Sequence, residues 1–185
     1  MSLYAIGDLH LSFSVDKPMD VFGREWKNHV VKIEKRWKKK IKSEDTVVLT
    51  GDHSWGRNLK ECEKDLEFIS GLPGRKILLR GNHSIEHFEM LVEREMTRLK
   101  TSFELAKKDG YEKFLMFLHY PPTSIGENES PFTNIAEQYG VEKVIYSHCH
   151  GEERFQDSFL GEVNGVEYQL VSSDYLRFRP ALIIK

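Results

Sequence analysis

"TVVLTGD", Thr46 to Asp52, decides the fold. A short run of β-branched and apolar residues closed by a glycine turn reads as a buried strand, and this one delivers an aspartate at its end. The same grammar recurs upstream in "LYAIGD", Leu3 to Asp8, and downstream in "RKILLRGNH", Arg75 to His83. Between the first two strands lies "EWKNHVVKIEKRWKKKIK", Glu25 to Lys42, where Trp26, Val30, Ile33, Trp37 and Ile41 recur every three or four residues and predict one helical stripe. Leu59, Cys62, Leu66 and Ile69 mark a second helix, closed by "GLPG". Phe88, Leu91, Met96 and Leu99 mark a third. Strand, turn and helix thus repeat three times, the pattern of parallel strands with helices packed on their faces.

The pattern then changes. "KDGYEKFLMFLHYPP", Lys108 to Pro122, supplies a fourth strand, and the polar, turn-rich "TSIGENESP", residues 123–131, predicts a loop beside its end. A short helix, "FTNIAEQY", leads into the strand "KVIYS". "VNGVEYQLVSS" places Asn164-Gly165 between strand-like residues, a strong hairpin signal, and "RPALIIK" closes the chain as a further strand. The expected architecture is a layered α/β domain spanning residues 1–185, with antiparallel strands toward its C-terminus.

Composition narrows the function classes. With 185 residues, the chain has room for one domain with a substantial core. The 29 acidic and 27 basic side chains leave no net basic field, so nucleic-acid binding is unsupported by overall charge. The basic residues from Lys32 to Lys42 fit the solvent face of their helix, with a backbone-tracking nuclease as the rival reading. Apolar runs are strand-sized, far short of the roughly 20 residues of a membrane span. Two cysteines, Cys62 and Cys149, make a disulfide framework improbable, and a cytoplasmic setting is expected.

Chemistry collects at the strand ends, where open α/β sheets bind ligands. They read "GDLH", "GDHS", "GNHS", "LHYPP" and "YSHCHG", each carrying Asp, Asn or His. Strand alternation lets His148 and His150 face one site while Cys149 faces away, and it relates Asp8 to His10 in the same manner. It also turns His53 away from whatever Asp52 binds. Cys149 then reads as a packing residue rather than a thiolate ligand, and Cys62 as part of an apolar stripe. Asp8, His10, Asp52, Asn82, His119, His148 and His150 form an oxygen and imidazole set suited to manganese, zinc, iron, nickel or cobalt. Seven ligands exceed one tetrahedral ion and suit two ions sharing a carboxylate, about 3.5–4 Å apart, a clamp for displacement at phosphorus.

This ordered series resembles the calcineurin-like metallophosphoesterases, whose pattern is DxH, GD, GNH, a lone His and GHxH. The match runs from Asp8 to His150. The resemblance implies a two-sheet sandwich flanked by helices (α/β/β/α) and a dinuclear centre of two divalent ions, manganese foremost. It implies that Asp8, His10 and His150 bind one ion, that Asp52 bridges, and that Asn82, His119 and His148 complete the second. A metal-bridging hydroxide would be the nucleophile, with His83 contacting the phosphate and aiding departure of the leaving oxygen. The catalytic assignments are thus His83 and Asp52. Two positions depart from the pattern: Ser84 stands where the family has an acidic residue, leaving Glu86 as a substitute partner for His83, and Ser147 stands where GHxH has glycine.

The phosphoprotein phosphatases of this superfamily carry GDxVDRG and GNHE, which "GDHSWGR" and "GNHS" lack. A small phosphate ester is therefore expected, with a phosphodiester favoured because so short a chain has no room for a large cap. Arg57 and Arg154 are candidates for a distal phosphate and equally ordinary surface arginines. Tyr120 and Phe13 are candidates for the groove wall or the core rim. A non-catalytic interaction module on the same fold is the rival from another class.

Overall fold

A computed structural model describes the chain from Met1 to Lys185 except residues 82–87 and the side chains at 88–91. Two four-stranded sheets form its centre. The first contains β1 (Leu3–Ile6), β2 (Thr46–Leu49), β3 (Arg75–Leu78) and β8 (Ala181–Ile184), in the order β3-β2-β1-β8. The second contains β4 (Phe114–Phe117), β5 (Val141–Tyr146), β6 (Gly161–Val163) and β7 (Val166–Leu170), in the order β4-β5-β7-β6. β1, β2 and β3 run parallel, as do β4, β5 and β7, while β8 and β6 pair antiparallel at the C-terminal side of each sheet. The Asn164-Gly165 hairpin forms as read: Val163 pairs with Val166, and both turn residues have positive φ.

Three apolar clusters define the layers. Ile6, Val47 and Leu49 pack against Ile33, Trp37 and Ile69, which places α1 (His29–Lys40) and α2 (Leu59–Gly71) on the outer face of the first sheet. Met116, Val144 and Tyr168 pack against Phe103, Ile135 and Tyr139, which places α3 (Phe88–Lys108) and α4 (Pro131–Tyr139) on the outer face of the second. Ala5, Ile145, Val171 and Ile183 fill the space between the sheets. The result is the α/β/β/α sandwich. The final strand crosses back to pair with β1, so the last residues of the chain lock the first.

Two helices differ from their sequence reading. The expected helix from Glu25 is divided: Arg24–Trp26 form a 3-10 turn, Asn28 takes a left-handed conformation at φ 56°, and α1 starts at His29. Trp26 remains buried with Ile33 and Trp37, but the break frees it from the helix register. In α2 the apolar stripe packs only in part, with Ile69 buried in the core. Leu59 is 83% exposed, whereas Asp65 is fully buried, accepting from the Phe13 amide at 2.9 Å and from the Ser54 hydroxyl. A buried carboxylate that satisfies two donors substitutes for apolar contact at this position.

Candidate metal centre

The site lies where the carboxyl ends of both sheets meet. Asp8 and His10 follow β1, Asp52 follows β2, His119 follows β4, and His148 and His150 follow β5. Asp8, His10 and His150 bring one ligand atom each within 4.8 Å of one another, and Asp52, His119 and His148 do the same. Each trio draws on both sheets. Asn82 and His83 lie outside the described residues, as do Ser84 and Glu86.

The convergence was legible in sequence, but strand alternation is not its cause. Asp8, His10, Asp52 and His148 all have positive φ, at 55°, 45°, 46° and 73°. Each strand has already ended, and a left-handed residue turns the chain so that the side chain faces the site. Such conformations are rare outside glycine and cluster where geometry is imposed by function. The motif glycines have a steric role beside them. A Cβ on Gly81 would lie 1.9 Å from Asp52 Oδ1, and one on Gly51 would lie 2.5 Å from His119 Nδ1. Ser147 needs no positive φ; it is buried and donates toward the Thr50 carbonyl at 3.3 Å, so the missing glycine leaves this backbone unstrained.

Hydrogen bonds fix which imidazole nitrogen faces the site. His119 Nδ1 donates to the Thr50 carbonyl at 3.0 Å, leaving Nε2 3.5 Å from Asp52 Oδ2. His150 Nδ1 donates to Asp174 Oδ1 at 2.9 Å, leaving Nε2 3.3 Å from His10 Nε2 and 3.8 Å from Asp8 Oδ2. Asp174 also accepts from the Gly151 and Tyr175 amides, both at 3.1 Å. This carboxylate, in "SSDY" after β7, escaped the sequence reading because it stands alone and outside every motif. A histidine whose far nitrogen is held by a carboxylate is oriented and made more basic for cation binding. Asp174 is a positioning residue for His150.

Burial sets the charge states. Desolvation, followed by the charge of His150, lowers the His10 pKa to about 3. Desolvation and His119 lower that of His148 to about 4. Both are neutral near pH 7, with lone pairs available. For His119 and His150, burial opposes the charge but is outweighed by Asp52 and Asp8 for the first and by Asp174 and Asp8 for the second, so both pKa values rise. Burial raises the Asp8 carboxyl, opposed by His150 and His119. Asp8 Oδ1 is buried without a hydrogen-bond partner among the described residues. A bare buried carboxylate oxygen is costly, about 1–3 kcal/mol or more, and a divalent cation satisfies it. The donor set fits the metals expected of it.

The remaining expected residues separate. Tyr120 packs its ring on His119 and His148, with centroids 5.1 and 4.6 Å away, and stays half exposed beside the site. Arg154, in α5 (Glu152–Gln156), lines a cleft of about 390 Å³ together with His148, His150, Ser124, Asn128 and Phe159. The loop at 123–128 forms the other wall of that cleft, as its sequence position suggested. Arg57 is exposed just before α2 and pairs at 3.6 Å with Glu61 in that helix's first turn. Phe13 packs on Phe68 at 5.4 Å, on the rim. Cys149 lines the cleft but joins neither trio, and burial raises its thiol pKa. His53 turns its Nε2 to the Leu79 carbonyl at 2.9 Å. Two residues absent from the sequence reading of the site wall it in: Trp55 stacks on His10 at 4.9 Å, and Trp26 meets His10 and His150 edge-on at 5.9 and 5.6 Å.

The sequence model of the calcineurin-like phosphoesterases matches residues 1–141. The chain belongs to this family. Its members are metal-dependent phosphoesterases, and the two trios give this chain the ligand groups such chemistry needs. No curated protein matches it in sequence. Among solved structures, a protein of unknown function from Aquifex aeolicus is similar over 98% of this chain and 95% of its own, with a TM-score of 0.60 and 20% identity. A phosphopantetheinyl hydrolase from Mycobacterium tuberculosis covers the same shares, with a TM-score of 0.52 and 11% identity. At these identities the likeness is one of fold. No helix among the described residues is long and apolar enough to cross a membrane.

Proposed function

We propose that this phosphoesterase hydrolyses a small phosphodiester at a dinuclear centre. Asp8, His10 and His150 would hold one ion, and His119, His148 and Asn82 the other, with Asp52 bridging. The observation that carries the reading is the pair of adjacent trios, each mixing carboxylate and imidazole without thiolate. That donor chemistry suits manganese first, with zinc, iron, nickel or cobalt as substitutes. Bound ions would supply Lewis acidity and lower the pKa of water. The chain's own residues do the rest. Neutral His10 and His148 offer lone pairs at pH 7, Thr50 and Asp174 hold His119 and His150 in the required tautomer, and Trp26 and Trp55 shield the first trio from water.

Support for a diester comes from the cleft beside His148 and His150. A diester keeps one substituent on phosphorus after cleavage, and this substituent needs a place. The cleft offers Ser124, Asn128 and Phe159, and its single arginine is offset by Glu127 and Asp157. Such a lining accepts a neutral polar group better than a second phosphate. The hydrolase among the fold relatives agrees with hydrolysis and, at 11% identity, does not pass on its substrate.

The test uses metal-stripped protein with manganese restored, chromogenic mono- and diester phosphates, and Asp52→Asn as control. Metal-dependent turnover that favours the diester and disappears in the variant is expected. Preference for the monoester overturns the diester reading, and absence of turnover with every metal overturns the catalytic one.

A further inference from the structure

A second site lies along α1, apart from the residues of both ligand trios. Along α1 runs a groove of about 880 Å³ lined by Arg24, Lys27, Lys32, Lys35, Arg36, Lys39, Lys40 and Arg179, with Asn28 and Val31 between them. Eight cations and no acid line it, in a chain whose formal net charge is −2. The sequence reading places these lysines on the solvent face of their helix, with a backbone-tracking nuclease as the rival. The structure adds how they are gathered. Cations from three separate segments converge on one concavity, while the helix's own acid, Glu34, pairs at 2.6 Å with Lys38, which is not among the lining residues.

Among the described residues, the partners of the lining cations are neutral carbonyls. Lys32 donates to the Glu25 carbonyl at 2.5 Å, Lys40 to the Pro180 carbonyl at 2.9 Å, and Arg36 to the Arg177 carbonyl. These neutral acceptors fix direction without removing charge. Arg179 lies near enough to Lys40 to add to desolvation in lowering its pKa. Like charges held together in this way favour an anionic ligand.

The shape selects the ligand. α1 has 12 residues and so runs for about 18 Å, too long for one phosphate group. Each turn of about 5.4 Å presents a fresh cation at positions 32, 35 or 36, and 39 or 40. That repeat is on the scale of phosphates along an extended strand. A concave channel suits a strand better than a flat lipid surface, and its lining holds no aromatic ring on which a base would stack. We infer that this groove binds the sugar-phosphate backbone of single-stranded nucleic acid without regard to base sequence. The inference is independent of the metal chemistry, because no residue lining the groove belongs to either ligand trio.

The test is fluorescence anisotropy with labelled oligodeoxythymidine and a mixed-sequence strand, in chelator, so that the metal centre plays no part. The full chain should bind both equally. The logarithm of its affinity should fall with the logarithm of salt with a slope near about −3, as expected when roughly four phosphates are neutralised on a single strand. K35E/K39E, and R179E on the opposite wall, change exposed side chains and should each weaken binding about tenfold or more. Metal-dependent ester hydrolysis in these variants should match that of the parent chain, which also shows that they fold. Absence of binding at low salt overturns the inference, as does binding that survives both variants. Capture by anionic phosphatidylserine vesicles but not by the strands overturns it in favour of a membrane surface.

Discussion

Replacing Asp174 should weaken one metal site and spare the other. Its carboxylate accepts from His150 Nδ1 at 2.9 Å and from two backbone amides at 3.1 Å, in a side chain only 3% exposed. In Asp174→Ala all three donors lose their acceptor and the imidazole is free to rotate. Removing such an outer carboxylate typically costs 10–100-fold in metal affinity, or about 1.4–2.7 kcal/mol. Asp174→Asn separates orientation from basicity. Its carbonyl oxygen still accepts from His150, but its amide nitrogen cannot accept from Gly151. Titration calorimetry of manganese into metal-stripped protein should resolve two sites in the parent chain. The site built on Asp8, His10 and His150 should weaken by about tenfold in Asn and nearer a hundredfold in Ala, with the other unchanged. Unchanged affinity in both variants, or equal weakening of both sites, refutes the reasoning.

Acid should destabilise the metal-free protein well above the carboxylate range. His10 and His148 are held neutral down to about 3 and about 4, so below their unfolded value of 6.5 the unfolded chain takes up protons that the folded one refuses. Each such histidine removes about 1.4 kcal/mol per pH unit between those limits. The raised pKa values of His119 and His150 add stability that is already complete below 6.5, so it grows no further there to offset this loss. Denaturant melts at pH 7 and pH 5 should differ by several kcal/mol, and equal stabilities would show that the two imidazoles are not buried neutral. Gly81→Ala, whose Cβ would sit 1.9 Å from Asp52 Oδ1, should abolish binding at the Asp52 trio in the same calorimetric titration. Binding retained there would mean that the loop adjusts freely. Trp37→Ala removes a fully buried ring that donates to the Pro73 carbonyl at 2.9 Å. It should cost about 3–5 kcal/mol in a chemical melt while leaving metal affinity intact at saturating stability. A loss under 1 kcal/mol, about the size of an ordinary surface change, would contradict the packing described for α1.

Much of this was legible because period and punctuation survive in sequence. The strand at Thr46 is a short apolar run, and the Asn164-Gly165 turn names its own hairpin. The gathering of the two candidate trios was legible for a related reason: each member follows a strand, and the end of a strand is a place the fold defines. Other features were hidden for physical reasons. Asp65 occupies a helix position that an apolar pattern assigns to solvent, since hydrogen bonds to Ser54 and Phe13 cannot be read from spacing. Asn28 breaks a helix that the stripe carries straight through, because a left-handed asparagine leaves the apolar period intact. Asp174 is 24 residues from its partner, with no motif between them. The groove along α1 needed Arg24 and Arg179 to be seen beside the helix, and only tertiary structure places them there.

That each trio takes members from both sheets bears on the order of events during synthesis. Neither ligand trio is complete until His148 and His150 have emerged, and the carboxylate that orients His150 follows 24 residues later. The first sheet must also wait for β8, at the very end of the chain, to cover β1. A nascent chain therefore offers an ion only isolated ligands, too few to retain it. In the proposed centre, a full trio is open to an ion only after β5 has been made and the two sheets have met.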